Sequence, residues 1–149
     1  MPLHLEIVTP ERRAFTGDVD EVIVPGSEGE MGILPHHAPL LTTLKYGIIK
    51  VRFQGQETFF TVAGGIAEVQ PNIVTILADA AENVEEIDIS RAESARKRAE
   101  EILAKGLPAD TDAYLKMDAA LRKSNLRLDA VKRYRHGPAR QSRNTNTDE

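Results

Sequence analysis

Apolar and polar residues alternate with a period of two through most of the first half of the chain, and with a helical period after Glu86. Leu3, Leu5 and Ile7 alternate with His4 and Glu6, the pattern of a strand with one buried face. Thr9-Pro10 ends that strand. The β-branched run DEVIVPG, residues 20–26, predicts another, which stops at Pro25-Gly26. In GIIKVRFQGQETFFTVAGG, residues 47–65, Ile49, Val51 and Phe53 are expected on one face and Lys50, Arg52 and Gln54 on the other. Gln54-Gly55-Gln56 turns the chain into a strand through Phe60 and Val62. A further hairpin is expected from IAEVQ, a turn at Pro71-Asn72, and IVTILAD. Many short strands with no helix between them predict an antiparallel sandwich or barrel.

After Glu86, Ala92, Ala95, Ala99 and Ile102 recur at helical spacing, with Leu103 beside them. Asp88 is placed to cap this helix, and Gly106-Leu107-Pro108 to end it. Asp110 or Asp112 can start a second helix. Its positions Tyr114, Met117, Leu121, Ser124, Leu128 and Val131 follow the spacing of a packed seam. The short connection predicts an antiparallel hairpin. Its alanine-lined seam buries little area, at about 0.8 kcal/mol per methylene, so the hairpin is expected to be the weaker half and open to alternative conformations. The predicted organisation is α+β: a sandwich over residues 1–86, a helical hairpin over 87–134, and a tail over 135–149. From Lys132 onward apolar periodicity is lost, which predicts a fraying helix end and then disorder.

Charge divides at the same place. Residues 1–86 hold 5 Lys+Arg against 13 Asp+Glu, whereas residues 87–149 hold 14 against 10. An acidic front and a basic back imply different partners. With no cysteine the chain has neither disulfides nor thiolate metal ligands, so packing or partners must stabilise it. No apolar run is long enough to span a membrane, and the N-terminus lacks a signal-peptide pattern, which is compatible with the cytosol.

The densest candidate for function is GSEGEMGILPHHAPLL, residues 26–41. His36 and His37 diverge on an extended loop, and no cysteine or third histidine stands nearby, so no metal site is expected. Ser27 lacks the G-x-S-x-G context of a nucleophile. Gly26, Gly29 and Gly32 are not followed by the lysine of a phosphate loop. No catalytic residue is predicted. A turn-rich connector would account for the glycines and prolines, but Met31, Ile33 and Leu34 beside Glu28 and Glu30 suit a protein contact with charges at its rim. In the helices, Arg91, Arg96, Lys97, Arg98, Arg122, Lys123 and Arg127 form a basic population. They read as a solvated face with pairs such as Arg96–Glu100 and Lys97–Glu101, or as a surface for an acidic protein segment or phosphate-bearing ligand. Nucleic acid is not an expected partner, since the chain is acidic overall and carries no such motif.

GSEGEMGILPHHAPLLTTLKYG, AGGIAEVQPNIVTILADAA and IDISRA together resemble the epsilon subunits of bacterial F-type ATP synthases, over Leu3 to about Tyr134. The resemblance implies a flattened sandwich of about ten strands, a two-helix C-terminal domain and a non-catalytic rotor role in the proton-translocating synthase. It implies binding to the gamma subunit and the c-ring, on the cytoplasmic face of the bacterial plasma membrane. Glu28, Gly29, Glu30 and Met31 would then touch the c-ring, on a loop stiffened by Pro35, His37 and Pro39. His36 stands where the family often has glycine or asparagine, a departure expected to alter the loop's shape. Arg122, Lys123 and Arg127 match the basic stretch through which related subunits meet the beta (and alpha) subunits and inhibit ATP hydrolysis. No cofactor is required, but some members bind ATP on the hairpin, and Glu82, Asp88, Arg91, Arg98, Lys123 and Arg127 match the contacting positions. Lys123 departs there from an expected arginine and would meet phosphate as a point charge. The rival expectation is a free-standing ATP-sensing or adaptor protein whose basic helices dock on an acidic partner.

Overall fold

A computed structural model of the chain describes residues 2–109 and 111–135. Eight strands come first: β1 Leu3–Val8, β2 Arg13–Val19, β3 Glu21–Gly26, β4 Gly29–Ile33, β5 Leu40–Phe53, β6 Gln56–Val69, β7 Ile73–Ala78 and β8 Ala81–Asn83. A single 3-10 turn, Val84–Glu86, leads into helices α1 Ile89–Ala104 and α2 Asp112–Tyr134.

The strands pair in the order β2-β1-β7-β6-β5-β3-β4, with β8 also paired to β6. Two layers arise because β5 and β6, 14 residues each, pass from one to the other. The first part of β6 pairs with β8 at Phe60–Val62, and its second part pairs with β7 at Gly65–Val69. Between these parts lie Gly64 and Gly65, with φ of 90° and 130°. A Cβ on Gly65 would strike the Leu77 carbonyl and lie 2.8 Å from Ala78 Cα. Only glycine permits both that backbone and that approach. The described residues thus form eight strands rather than the expected ten, because β5 and β6 each run unbroken through the bend.

Alternation built the buried faces. Leu3, Leu5 and Ile7 of β1, Val22 and Val24 of β3, Ile49 and Val51 of β5, and Phe60 and Val62 of β6 share one core. Phe15 meets Phe60 edge-on at a centroid distance of 5.7 Å. Phe53 departs from its expected face: it lies 41% exposed at the end of β5, beyond the core and beside the Gln54-Gly55 turn. That turn has φ of 51° and 79°, the two left-handed residues that a two-residue hairpin favours. The sandwich is not wholly antiparallel, because β1 runs parallel to β7. Sequence alternation carries no sign of strand direction.

Asp88 caps α1, its Oδ1 accepting from Arg91 N at 3.0 Å, and Gly106 closes the helix at φ 81°. The cap of α2 is Thr111, whose Oγ1 accepts from Tyr114 N at 3.2 Å. Asp112 is the first helical residue, and Asp110 lies outside the described residues. Ala92 and Ala99 of α1 and Ser124 of α2 are buried, and the Ser124 hydroxyl donates to Ala120 O at 2.8 Å. The pairs Arg96–Glu100 and Lys97–Glu101 do not form; among the described residues the one i,i+4 ion pair is Arg133–Asp129 at 3.3 Å. Arg96 instead turns its Nε inward, where it is buried. Nor does α2 fray at Lys132; it continues to Tyr134, and Arg135 is held beyond it. Residues 136–149 of the expected tail lie outside the described residues.

Gly65→Ala should destabilise the chain by about 3 kcal/mol or more, combining a left-handed backbone with a clash. Gly55→Ala, also at positive φ but with nothing within 4 Å, should cost only about 1 kcal/mol. Urea unfolding of the two variants measures the difference.

Candidate functional site

The stretch 26–41 is not one loop. Its first part is a hairpin in which Pro25 pairs with Glu30 and Gly26 with Gly29, leaving Ser27-Glu28 at the turn. The two glycines of GEMGI hid β4 from the periodicity. Gly26 is close-packed, since a Cβ there would lie 2.9 Å from Gly29 O and 3.2 Å from Met31 Sδ. Ser27 N donates to Thr43 O at 2.9 Å, tying the turn to β5. Glu28, Gly29 and Glu30 project into solvent, whereas Met31 is half-buried against the sandwich core. Two carboxylates therefore form the exposed tip, and the methionine anchors it from beneath.

Residues 34–39 connect β4 to β5. His36 N donates to Pro71 O at 2.8 Å, fastening this connector to the β6–β7 turn. His36 adopts φ 69°, the left-handed region that glycine and asparagine favour and histidine tolerates. His37 Nδ1 donates to Ala38 O at 2.8 Å, and the prolines Pro35 and Pro39 bracket the pair. Close by, Leu41 is 66% exposed, and Ile66 and Leu77 add apolar area on the same outer sheet face. Periodicity identified the buried face of these strands and overlooked this one.

The helical candidates separate into two groups. Glu82, Lys123 and Arg127 line one recess of about 40 Å³ with Thr61, Ala63, Ala80, Ala81 and Leu126. Arg127 Nε lies 2.7 Å from Glu82 Oε1 without aiming its N–H at it, and Nη2 donates to Oε2 at 3.3 Å. None of Asp88, Arg91 and Arg98 lines that recess. The Asp88 carboxylate is engaged at the α1 cap, and Arg91 and Arg98 are exposed. Arg122 points elsewhere, its guanidinium 4.2 Å from the Tyr46 ring of β5.

Sequence reasoning missed the groups that clasp the hairpin to the sandwich. Tyr134 stacks on Phe59 at 4.6 Å, and Val84, Ile87 and Ala130 close a small second core with Ile48 and Val131. Arg135 donates through Nη2 to Ile87 O at 2.6 Å and to Val84 O at 2.7 Å, and through Nε to Val84 O at 3.2 Å. These contacts join residues about fifty or more apart in sequence, which no local pattern reveals; the extension of the α2 seam from Val131 by one more turn was the only hint.

A bent sandwich followed by a clasped helix pair can be compared with known proteins along its whole described length. The profile for "ATP synthase, Delta/Epsilon chain, beta-sandwich domain" matches residues 2–84, and that for "ATP synthase, Delta/Epsilon chain, long alpha-helix domain" matches residues 85–132. The chain belongs to the ATP synthase delta/epsilon family. It is 47% identical over 137 residues to an ATP synthase epsilon chain of Dehalococcoides mccartyi, covering 91% of this chain and 96% of that one. To the epsilon chain of Pelotomaculum thermopropionicum it is 55% identical over 102 residues, 68% of this chain and 76% of that one. Among solved structures, a chain of the Euglena gracilis mitochondrial ATP synthase, in its OSCP/F1/c-ring assembly, superposes with a TM-score of 0.70 at 25% identity, covering 87% of this chain and 81% of that one. A chain of the Tetrahymena thermophila mitochondrial ATP synthase central stalk/c-ring shares the fold, with a TM-score of 0.57 at 18% identity over 88% of this chain and 97% of that one. Epsilon chains are non-catalytic subunits of ATP synthase, and the match to them runs through both domains of this chain.

Arg135→Ala removes three charge-assisted contacts and should loosen the clasp by about 2 kcal/mol, raising amide exchange in the last turn of α2 roughly 30-fold. Exchange in β1 and β7 should be unchanged. Hydrogen exchange read by mass spectrometry distinguishes the two regions.

Proposed function

We propose that this chain is the rotor subunit of an ATP synthase that couples the turning central stalk to its ion-driven ring, with its helical hairpin as a regulatory element. The observation that carries this reading is identity to epsilon chains that runs through both domains, over 91% of the chain. The bent sandwich supplies a body in which force at one end reaches the other through a close-packed core. On this reading the exposed tip of Glu28, Gly29 and Glu30, seated on Met31, meets the c-ring. The His36–His37 connector, fixed to the β6–β7 turn, stiffens the same end. The apolar face of Leu41, Ile66 and Leu77 offers area for the gamma subunit. The complex would place the chain at the cytoplasmic face of the bacterial plasma membrane, and no helix of the described residues is long and apolar enough to cross it.

The hairpin's proposed role is inhibition of ATP hydrolysis. Arg122, Lys123 and Arg127 would meet an acidic segment of the beta subunit, with alpha alongside, after α2 leaves the sandwich. That step must lift Arg122 from Tyr46 and Arg127 from Glu82, so the folded form holds these cations in reserve. ATP is a proposed regulatory ligand of the hairpin, not a required cofactor. The 40 Å³ recess at Glu82, Lys123 and Arg127 is far below the several hundred cubic ångströms of a small-molecule site. Binding there therefore requires Arg127 to exchange Glu82 for phosphate, with Arg91 and Arg98 brought in from α1.

Two measurements test the proposal. Detergent-solubilised synthase should retain the chain together with gamma and the c-ring, and a Glu28→Lys/Glu30→Lys double variant should weaken that retention; recovery of the chain free of both would contradict the rotor role. ATPase activity of the reconstituted complex should rise several-fold when the chain is truncated after Asp88. Unchanged activity would contradict inhibition by the helices.

A further inference from the structure

Across α2 from the Glu82–Arg127 pair lies a second, larger cleft of about 600 Å³, lined chiefly by Tyr46, Arg96, Arg122, Leu126, Asp129 and Lys132. Arg122, Leu126, Asp129 and Lys132 follow one another at intervals of three or four residues, so one face of α2 forms a wall. Arg96 enters from α1 and Tyr46 from β5. Three cations converge here, and among the described residues none of them has a carboxylate at ion-pair distance. The one acid of the lining, Asp129, is paired with Arg133 at 3.3 Å. Arg122 rests on the Tyr46 ring, and the Arg96 Nε is buried and makes no hydrogen bond. A buried N–H of a charged group normally has a partner, because leaving it without one is costly. This wall calls for carboxylates from outside the described residues.

The chain carries such carboxylates itself. Beyond Arg135, which is fastened to Val84 O and Ile87 O, the sequence continues as HGPARQSRNTNTDE, residues 136–149. The acids of this segment are Asp148 and Glu149, side by side, and its arginines Arg140 and Arg143 stand at least five residues before them. The family's helical profile ends at residue 132, so the segment lies outside the shared match. We propose that the cleft receives Asp148-Glu149 of the same chain, as an intramolecular latch on the folded hairpin. Reach permits it: thirteen residues lead from Arg135 to Asp148, and at about 3.3 Å each they extend to about 43 Å. Arg122 also stands thirteen residues from Arg135, but along a helix, which makes the distance about 20 Å. A polar linker of that many residues has a root-mean-square span of about 20 Å. Linker and distance therefore match, the condition under which a tethered group is most concentrated at its site. Carboxylates on successive residues of an extended chain diverge, which suits cations on facing walls, Arg96 of α1 on one side and Arg122 with Lys132 of α2 on the other. Apolar Leu126 and the covered Tyr46 beside them strengthen each charged contact. The cleft is assembled from α1, α2 and β5, so the latch closes only while the helices lie on the sandwich. Any acidic segment of another protein that seeks Arg122 must first displace the tethered one. The latch is a property of the isolated chain and stands independently of the rotor reading.

The chain has no cysteine, so Asn146→Cys gives a unique position for a nitroxide in the full-length protein. Paramagnetic broadening of amide signals then reports what the segment approaches. The label should broaden Arg96, Arg122 and Leu126. The double substitution Asp148→Asn/Glu149→Gln keeps the tether and removes the charge, and it should cut that broadening at least threefold. Arg96→Gln should do the same, whereas Lys97→Gln, one residue away with the same charge change, should not. Broadening that is absent at Arg96 and Arg122, or that survives neutralisation of the two acids, would overturn the latch. An isotope-labelled chain without nitroxide, mixed with a nitroxide-bearing one, tests the rival occupant: broadening confined to that mixture would assign the cleft to a second copy and overturn the intramolecular contact. Amide exchange supplies an independent reading. Exchange in α1 and α2 should rise about fivefold when the two acids are neutralised, the weight of a partly shielded ion pair, with β1 and β7 unchanged. Adding Arg96→Gln to the neutralised chain should bring no further rise, because both changes remove one contact. Unchanged exchange, or effects that simply add, would contradict the proposal.

Discussion

The small second core between α2 and the sandwich is the contact on which the arrangement of the two domains depends. The helices hold each other through alanines, whose burial contributes little, while the sandwich is closed by its own core of branched aliphatics and Phe60. What joins them is the Phe59–Tyr134 stack, the cluster of Val84, Ile87 and Ala130, and the guanidinium of Arg135 on two backbone carbonyls. A stacked ring pair adds about 1 kcal/mol beyond its buried area, and the Arg135 guanidinium, shared over two carbonyls, about 2 kcal/mol. The clasp is thus worth a few kilocalories, far less than the core beside it. A difference of that size lets two packings of one sequence compete.

The polar groups on α2 divide by face. One face carries Lys123 and Arg127, the latter pinned to Glu82; the other carries Arg122, Asp129 and Lys132 around an open cleft. Because adjacent residues on a helix point about 100° apart, Arg122 and Lys123 serve different surroundings although they are neighbours in sequence. A charge count along α2 treats these cations as one basic stretch. In the folded hairpin they are separate populations, one already neutralised by a carboxylate and the other resting on an aromatic ring.

Much of this architecture was legible from the residues alone. The alternation of Leu3, Leu5 and Ile7, the Gln54-Gly55 turn and the Asp88 cap each follow from a local rule, and each is found where the rule puts it. What escaped was either masked or non-local. Gly29 and Gly32 disguised β4, and Gly17 with an exposed face disguised β2. Thr111 outcompeted its acidic neighbours for the α2 cap, a choice among equivalent capping residues that pattern cannot make. Arg135 read as the start of a tail because its partners lie 48 and 51 residues earlier. The exposed tip of Glu28 and Glu30 was visible as chemistry, but its support by Met31 and Thr43 is tertiary.

The parallel pairing of β1 with β7 bears on how the chain reaches this state. His4 lies beside Ile73, a sequence separation of 69 residues, so β1 waits for its inner neighbour until β7 has been synthesised. Until then β1 can hold only β2, as a two-stranded ribbon with Leu3, Leu5 and Ile7 uncovered, and such a hairpin is marginal in water. Pairings this distant slow the search for the native topology and prolong the exposure of an adhesive edge. The helical hairpin, made last from neighbouring segments, meets no such delay and finds a finished surface on which to settle.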